Sequence, residues 1–107
     1  MKEERRYFVY ITQSASRRAI YIGITNSLDR RVLQHRNARG SQFAEDYRAF
    51  RLIYHEVFHD VRSAIRREKQ LKGWRREKKL TLVAKMNPQF RDLAAGWGEP
   101  IELLEPF

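Results

Sequence analysis

A carboxylate occupies a position where an apolar residue would be expected, on a predicted helix over roughly residues 61–72. Successive residues of an α-helix turn by roughly 100°, so four side chains define one apolar arc: Val61, Ala64, Ile65 and Leu71. Glu68 falls near the middle of that arc. The neighbouring charged residues are predicted to point elsewhere: Arg62, Arg66, Arg67 and Lys69. An ionised carboxylate facing a core is costly unless it is paired or binds a metal ion.

Four more polar side chains could act together with this carboxylate. His35 is predicted to lie on the apolar face of an earlier helix, with Arg31 one turn before it, and Tyr10 and Tyr21 lie in two predicted strands. Each has an ordinary structural explanation: a strand tyrosine usually fills a core, an arginine is usually solvated, and Glu68 could simply pair with an arginine. Together they supply a carboxylate, a guanidinium, an imidazole and two phenols, which can perform phosphodiester chemistry.

The elements that position these residues are predicted in the order β-β-α-β-α-α. Runs of β-branched and aromatic residues predict strands over 7–12, 19–24 and 52–58. Helices are predicted from Leu28 to about 37–40, over 61–72, and from about Arg75 to Met86. Capping residues and a proline support these bounds: Asn26 or Ser27, Asp60, and Asn87-Pro88.

The order of elements predicts an α+β fold with a small three-stranded antiparallel sheet flanked by helices. The first two strands are close enough in sequence to form a hairpin. Gly23, inside the second strand, predicts a bulge or a close approach of another group to the backbone. We predict one domain over residues 1–95, followed by an irregular tail over residues 96–107.

Composition narrows the class of function. The chain has no cysteine, which excludes disulfides and thiolate chemistry. It has no apolar run near the roughly 18 residues of a membrane span, and its charged N-terminus does not resemble a secretory signal, so a cytoplasmic location is expected. The net charge of +9 is concentrated in residues 1–40 and 60–80. A basic surface confined to part of a chain favours nucleic acid as a partner, although it could also serve solubility alone.

The spacing of the polar residues resembles the GIY-YIG nuclease superfamily. Tyr21-Ile22-Gly23 reproduces the second half of that motif, and Phe8-Val9-Tyr10 occupies the first half with its tyrosine kept. Arg31 and His35 follow at the family's spacing, and Glu68 matches its metal-binding glutamate. The chain is most similar to small stand-alone bacterial members, which it also matches in two further segments: Leu71-Lys72-Gly73-Trp74-Arg75-Arg76 and Asn87-Pro88.

The resemblance implies hydrolysis of a phosphodiester by water. Glu68 would hold one Mg²⁺ or Mn²⁺, and Arg31 would stabilise charge on the phosphoryl oxygens. Tyr10 or Tyr21 would orient or deprotonate the water, with His35 as a second candidate for proton transfer. An asparagine lies near the site in some relatives, and Asn87 is the corresponding candidate. Gly23 and a set of basic residues would contact the substrate: Lys69, Lys72, Arg75, Arg76, Lys78 and Lys79.

The resemblance leaves the substrate open between DNA, which is favoured, and RNA. Homing and restriction enzymes of the superfamily gain specificity from added modules, and this chain shows none, so recognition is expected to follow nucleic acid structure rather than sequence. DNA repair or nucleic acid turnover is the expected pathway class, and no membrane partner is expected. Two alternatives compete: a non-catalytic DNA- or RNA-binding module of the same fold, and a protein-interaction domain whose charge only aids solubility.

Overall fold

A computed structural model describes residues 5–14, 16–37 and 51–97. It contains the predicted order of elements: β1 (Tyr7–Gln13), β2 (Ile20–Thr25), α1 (Leu28–Asn37), β3 (Arg51–Phe58), α2 (Val61–Lys72) and α3 (Arg76–Met86). The α+β prediction is therefore confirmed, with helix and strand bounds within a residue or so of those expected. None of the helices in these described ranges is long and apolar enough to cross a bilayer.

The three strands form one antiparallel sheet in the order β2-β1-β3. Tyr10 at the centre of β1 lies opposite Gly23 on β2 and His55 on β3. The β1–β3 register shifts between Ile11 and Thr12, so that Ile53 is the extra residue of a bulge. The hairpin predicted for the first two strands is confirmed, and it places the motif residues of β1 and β2 side by side.

Helices cover both faces of the sheet. On one, called here the α1 face, Tyr10 packs with Leu28 and Val32 of α1 and with Leu52 of β3. On the other, the α2 face, core residues of the strands pack against α2 and α3: Val9 with Ala64 and Leu71, and Ile11 and Ile53 with Val83. Alternate residues of a strand point to opposite faces, so each strand supplies two separate cores, which explains why β1 is apolar almost throughout.

The apolar arc predicted for α2 is partly wrong. Ala64 and Leu71 are fully buried, but Val61 and Ile65 are 43% and 39% exposed. The helix packs on the sheet along a narrower stripe than the sequence suggested. Glu68 lies on this stripe, four residues after Ala64 and three before Leu71, and its side chain is 16% exposed. Its inward position was therefore predicted correctly.

Residues 87–97 close the fold against β3. The buried Asn87 amide donates to the carbonyl oxygens of Ile53 (3.1 Å) and Arg91 (2.8 Å). Asp92 Oδ1 accepts the Leu52 amide at 3.0 Å. Trp97 packs against the α1-face core, although the sequence placed it in the tail. The remaining residues of that predicted tail, 98–107, lie outside the described ranges.

Candidate active site

Gly23 is needed because the ring of Tyr10 crosses its backbone. A Cβ atom at position 23 would lie 2.5 Å from Cζ of Tyr10, closer than real Cβ atoms approach a neighbour. The Tyr10 side chain is 7% exposed, so its ring has little room to move aside. Of the two readings that the sequence allowed for Gly23, the structure supports close approach, and the group that approaches is Tyr10 itself. The role predicted for Gly23 in substrate binding stays a prediction.

Tyr21 shares the α1 face with Tyr10. It lies opposite Thr12 on β1, and cross-strand partners project to the same side of a sheet. Thr12 is 1% exposed, and within the described residues its hydroxyl oxygen has no hydrogen-bond partner. Thr12 was not predicted as a site residue, because one threonine in an apolar strand carries no sequence signal. It lies between the two tyrosines along the same face.

Arg31 brings a guanidinium to this face. It lies on α1, one residue before the buried Val32, and is itself half-buried. Its Nε is buried, and no hydrogen-bond partner for that atom exists among the residues that the structure describes. Ser27 begins the helix: its carbonyl oxygen accepts the Arg31 amide at 3.0 Å. His35 lies one turn further along α1, with its side chain outside the described part of the structure, so its predicted role stays a prediction.

Glu68 is not on this face. Helix α2 packs on the opposite side of the sheet, against Ile22 and Ile24 of β2 among others. Groups on opposite faces can meet only around an edge or an end of a sheet. The outer edge of β3 is contacted at Leu52 by Asp92 and Leu93. The edge strand β2, which carries Tyr21 and Gly23, is therefore the border at which a site using Glu68 and the tyrosines would form.

A lone carboxylate such as Glu68 fits one kind of metal ion. Within the described ranges, no group of three or more histidine, cysteine or acidic residues could hold a metal. Mg²⁺ usually keeps several waters and takes one or two carboxylates together with substrate phosphates. The Lys72 ammonium lies 3.6 Å from a Glu68 oxygen. This ion pair is loose, because the Lys72 side chain is 55% exposed. An ion arriving with its substrate could displace so exposed a partner.

A second polar cluster on the α2 face was missed by the sequence analysis. Arg67 donates to both carboxylate oxygens of Glu56, at 2.8–3.2 Å, and Tyr54 donates a short hydrogen bond to the same carboxylate. The Arg67 guanidinium also lies 5.2 Å from the ring centroid of Trp74. The prediction that Arg67 points away from the core was wrong. No local pattern could reveal this pairing, because Glu56 lies on β3 and Arg67 on α2.

The charges of this cluster are fixed by their partners. Burial would raise the pKa of Glu56, but hydrogen bonds from Arg67 and Tyr54 outweigh it and leave that pKa lowered. Burial, followed by the bond to Glu56, raises the pKa of Tyr54 to about 12. Tyr54 is thus a permanently protonated donor at neutral pH, and the cluster is a stabilising ion pair rather than a catalytic group.

The six predicted phosphate contacts lie along the end of α2 and the start of α3. Five of them are exposed: Lys69, Lys72, Arg75, Arg76 and Lys78; Lys79 is half-buried. Arg76 donates to the carbonyl oxygen of Arg17 in the β1–β2 loop at 3.1 Å, and the Lys78 ammonium lies 4.2 Å from the Trp74 ring centroid. Asn87, by contrast, uses its amide to join α3 to β3 and to Arg91, which accounts for its burial without a part in chemistry.

Comparison with known proteins agrees with this arrangement. Residues 6–81 match the family model described as the GIY-YIG catalytic domain. The chain belongs to the GIY-YIG family. Membership implies nuclease-type activity on nucleic acid, which is what the motif residues had suggested.

Similar GIY-YIG proteins are small and bacterial. A UPF0213 protein of Bacillus pumilus is 31% identical over 84 residues, covering 78% of this chain and 85% of that one. A UPF0213 protein of Staphylococcus aureus (strain Mu3) is 31% identical over 77 residues, covering 72% and 93%. The solution structure of a UPF0213 protein from Bacillus halodurans superimposes with a TM-score of 0.54 at 26% identity, covering 85% of this chain and 97% of that one.

Proposed function

We propose that this GIY-YIG protein hydrolyses phosphodiester bonds of nucleic acid as a metal-dependent endonuclease. The observation that carries the proposal is the convergence of Tyr10, Tyr21 and Arg31 on the α1 face. On the same face, Nε of Arg31 and the hydroxyl oxygen of Thr12 are buried without a hydrogen-bond partner among the described residues. Buried polar atoms are normally hydrogen-bonded. Because these atoms of Arg31 and Thr12 have no such partner among the described residues, they are suited to hydrogen-bond a polar substrate that enters between them.

Each residue has a definite part in the proposed reaction. Arg31 would donate to the phosphoryl oxygens as negative charge develops on them. Tyr10 or Tyr21 would orient the attacking water or take its proton, and His35 is the alternative proton acceptor. Glu68 would hold one Mg²⁺ or Mn²⁺ at the β2 edge. That ion, when bound, supplies Lewis-acid stabilisation of the leaving oxygen.

The exposed basic residues at the α2–α3 corner would hold the nucleic acid backbone. Contacts of lysine and arginine with phosphates position a substrate without reading its sequence. We therefore expect recognition by nucleic acid structure, with DNA as the favoured substrate and RNA as the alternative. Repair of DNA or turnover of nucleic acid is the pathway class in which such an activity would serve.

The proposal is tested by a cleavage assay on labelled single-stranded, duplex and flap DNA and on RNA. Wild type is compared with Glu68→Gln, with Mg²⁺ or Mn²⁺ and with EDTA. Glu77→Gln is the matched control, because it makes the same change at an exposed glutamate of α3. We expect metal-dependent cleavage that Glu68→Gln abolishes and Glu77→Gln retains.

Other outcomes would redirect the proposal. Salt-sensitive binding without cleavage on any substrate would favour the non-catalytic nucleic-acid-binding module. Cleavage that survives Glu68→Gln would show that the metal site has been assigned to the wrong residue. Absence of both binding and cleavage would favour a protein-interaction domain.

A further inference from the structure

A pocket of about 470 Å³ opens on the α1 face beside Tyr10. It lies between the start of β1, the start of α1 and the middle of β3, and its lining includes Phe8, Asn26, Ser27, Asp29, His55 and Trp97. Two features place it next to the proposed site: His55 is the cross-strand neighbour of Tyr10, and Leu28, which also lines the pocket, packs with Tyr10 in the core. Its volume lies within the range of small-molecule sites.

The walls of the pocket suit a flat ring. Phe8 and Trp97 are partly buried aromatic residues that pack on the α1-face core. The rings of Phe8 and His55 meet edge to face, with centroids 6.5 Å apart and planes at 70°. Aromatic side chains hold unpaired bases by stacking, at roughly 1–3 kcal/mol per base.

The polar groups of the pocket favour a ligand with hydrogen-bond donors. The Ser27 hydroxyl and the Arg30 amide both donate to Oδ1 of Asp29 at 2.8 Å. The hydrogen bond from Ser27, followed by that from the Arg30 amide, lowers the pKa of Asp29, so the carboxylate is an acceptor at neutral pH. A carboxylate accepts from amino groups of bases and repels a phosphate.

His55 supplies a second polar contact. Its Nδ1 is buried and has no hydrogen-bond partner among the residues that the structure describes. Burial lowers the pKa of His55, so the imidazole is neutral at pH 7 and can accept at one nitrogen and donate at the other. Arg6 also lines the pocket, and it is exposed at the start of the chain segment that leads into β1.

We propose that this pocket receives one unpaired nucleobase of the substrate strand, and that Asp29 makes it prefer bases with an exocyclic amino group over thymine and uracil. The proposal rests on the proposed nuclease function, because it places the base beside the phosphate that Tyr10 and Arg31 would meet. Recognition of unpaired bases by stacking combined with hydrogen bonds to their polar edges is common among proteins that bind single strands.

The test compares binding of fluorescent single-stranded oligo(dC) and oligo(dT) of equal length, by anisotropy in EDTA at low salt. We expect wild type to bind oligo(dC) about five- to tenfold more tightly, as one ordinary net hydrogen bond would give, because Asp29 is exposed and water competes for its carboxylate. Asp29→Asn should remove or invert this preference, because an amide can also donate to thymine. Asp60→Asn is the matched control: it makes the same change at an exposed aspartate at the start of another helix, α2, and Asp60 does not line the pocket.

A second measurement follows stacking on Trp97 directly. Saturating oligo(dC) should quench the tryptophan emission of wild type, and Trp97→Phe should lose most of this quenching while retaining the fold. Equal binding of oligo(dC) and oligo(dT), or a preference unchanged in Asp29→Asn, would overturn the pocket assignment and leave the nuclease proposal standing. Failure of both oligonucleotides to bind would also overturn the pocket assignment, whereas the nuclease proposal would be overturned only by the absence of cleavage on every substrate of the cleavage assay.

Discussion

The polar side chains at the centres of the two faces of the sheet differ in how fully they are hydrogen-bonded. On the α2 face, the charges of Glu56 and Arg67 meet in a two-pronged ion pair that Tyr54 completes. On the α1 face, polar atoms of Thr12, Arg31 and His55 are buried without hydrogen-bond partners among the described residues. Two such atoms also occur on the α2 face, in Gln13 and Arg51, which lie opposite each other where β1 ends and β3 begins. The same three strands support both arrangements, because alternate residues serve alternate faces.

The difference separates stability from function. A buried donor or acceptor without a partner costs about 1–3 kcal/mol, and a sequence selected only for stability would remove it. Natural proteins break such rules mainly at functional sites. The Glu56–Arg67 pair of the α2 face therefore contributes to the free energy of folding, whereas the buried polar atoms around Tyr10 on the α1 face carry a cost that a bound substrate would relieve. Loss of a polar side chain should therefore lower catalysis at the Tyr10 site of the α1 face and lower stability at the ion pair of the α2 face.

Loss of Arg31 should have the largest effect, and the effect should be on catalysis. In Arg31→Ala we expect kcat/KM for cleavage to fall by about 10²–10³, the size found when one donor to a developing oxyanion is removed. Its free energy of unfolding should change by no more than about 1 kcal/mol, because the lost side chain leaves no hydrogen-bond partner unpaired among the residues that the structure describes. Steady-state kinetics and urea unfolding measure the two quantities.

Arg30→Ala is the control for this prediction. It removes the same charge from an exposed neighbour on the same helix. Cleavage that falls equally in both variants would mean that Arg31 contributes only to the general positive potential.

Loss of Arg67 should have the opposite result. Arg67→Ala leaves the Glu56 carboxylate partly buried without its main partner and removes the contact with Trp74. We expect a loss of about 2–3 kcal/mol in the free energy of unfolding, below the value for a fully buried pair because both side chains are about one-fifth exposed. Cleavage at a temperature well below the unfolding transition should be retained. A catalytic loss without destabilisation would contradict the division between the faces, and Arg66→Ala serves as the exposed control.

Gly23→Ala should destabilise by about 1–3 kcal/mol, because the added methyl group overlaps the Tyr10 ring. Gly73→Ala is the matched control: Gly73 has helical φ and ψ angles and only ordinary contacts, so this substitution should be neutral or slightly stabilising. If the clash is the cause, the effect of Gly23→Ala should shrink in a Tyr10→Leu background, as a double-mutant cycle would show. An undiminished effect would mean that the backbone of β2 itself requires glycine.

The sequence predicted what local patterns determine. Strand and helix bounds followed from residue types and caps, and the inward position of Glu68 followed from helical periodicity. Contacts between distant segments had no such signal. The Glu56–Arg67 pair joins β3 to α2, and Asp92 reaches back to Leu52 across forty residues. The packing of Trp97 on the α1-face core had no sequence signal for the same reason, since it depends on a core that other elements assemble.

The residues of the candidate site also fall into those whose positions the sequence predicted and those whose positions it did not. The positions of Tyr10, Tyr21, Gly23 and Arg31 were predictable because a tight hairpin and the helix that follows it bring them together over a short stretch of chain. The placement of Glu68 on the opposite face was not predictable, because the side on which a helix packs depends on the whole topology. Thr12 and His55 were missed because burial without a partner is a property of the folded state alone.

The smallest effect should be a difference in pH dependence between two consecutive residues, His55 on the α1 face and Glu56 on the α2 face. Burial lowers the pKa of His55 from its ordinary value of 6.5, so the unfolded chain binds more protons there below that pH. Its contribution to stability is complete above about pH 6.5 and is lost as pH falls through the folded pKa. Glu56 follows the same sign at lower pH, with a contribution complete above its ordinary value of 4.5 and lost below it.

Unfolding free energies measured from pH 8 to pH 3 should therefore separate the two faces. Compared with wild type, His55→Gln should lack the part of the decline that begins just below pH 6.5, and Glu56→Gln should lack the part that begins below pH 4.5. The comparison with each variant is necessary because the chain contains two other histidines, His35 and His59. If the decline between pH 6.5 and pH 5 is unchanged in His55→Gln, the surroundings of His55 do not hold its imidazole neutral. The polar atoms of the α1 face would then be more accessible to water than their burial indicates.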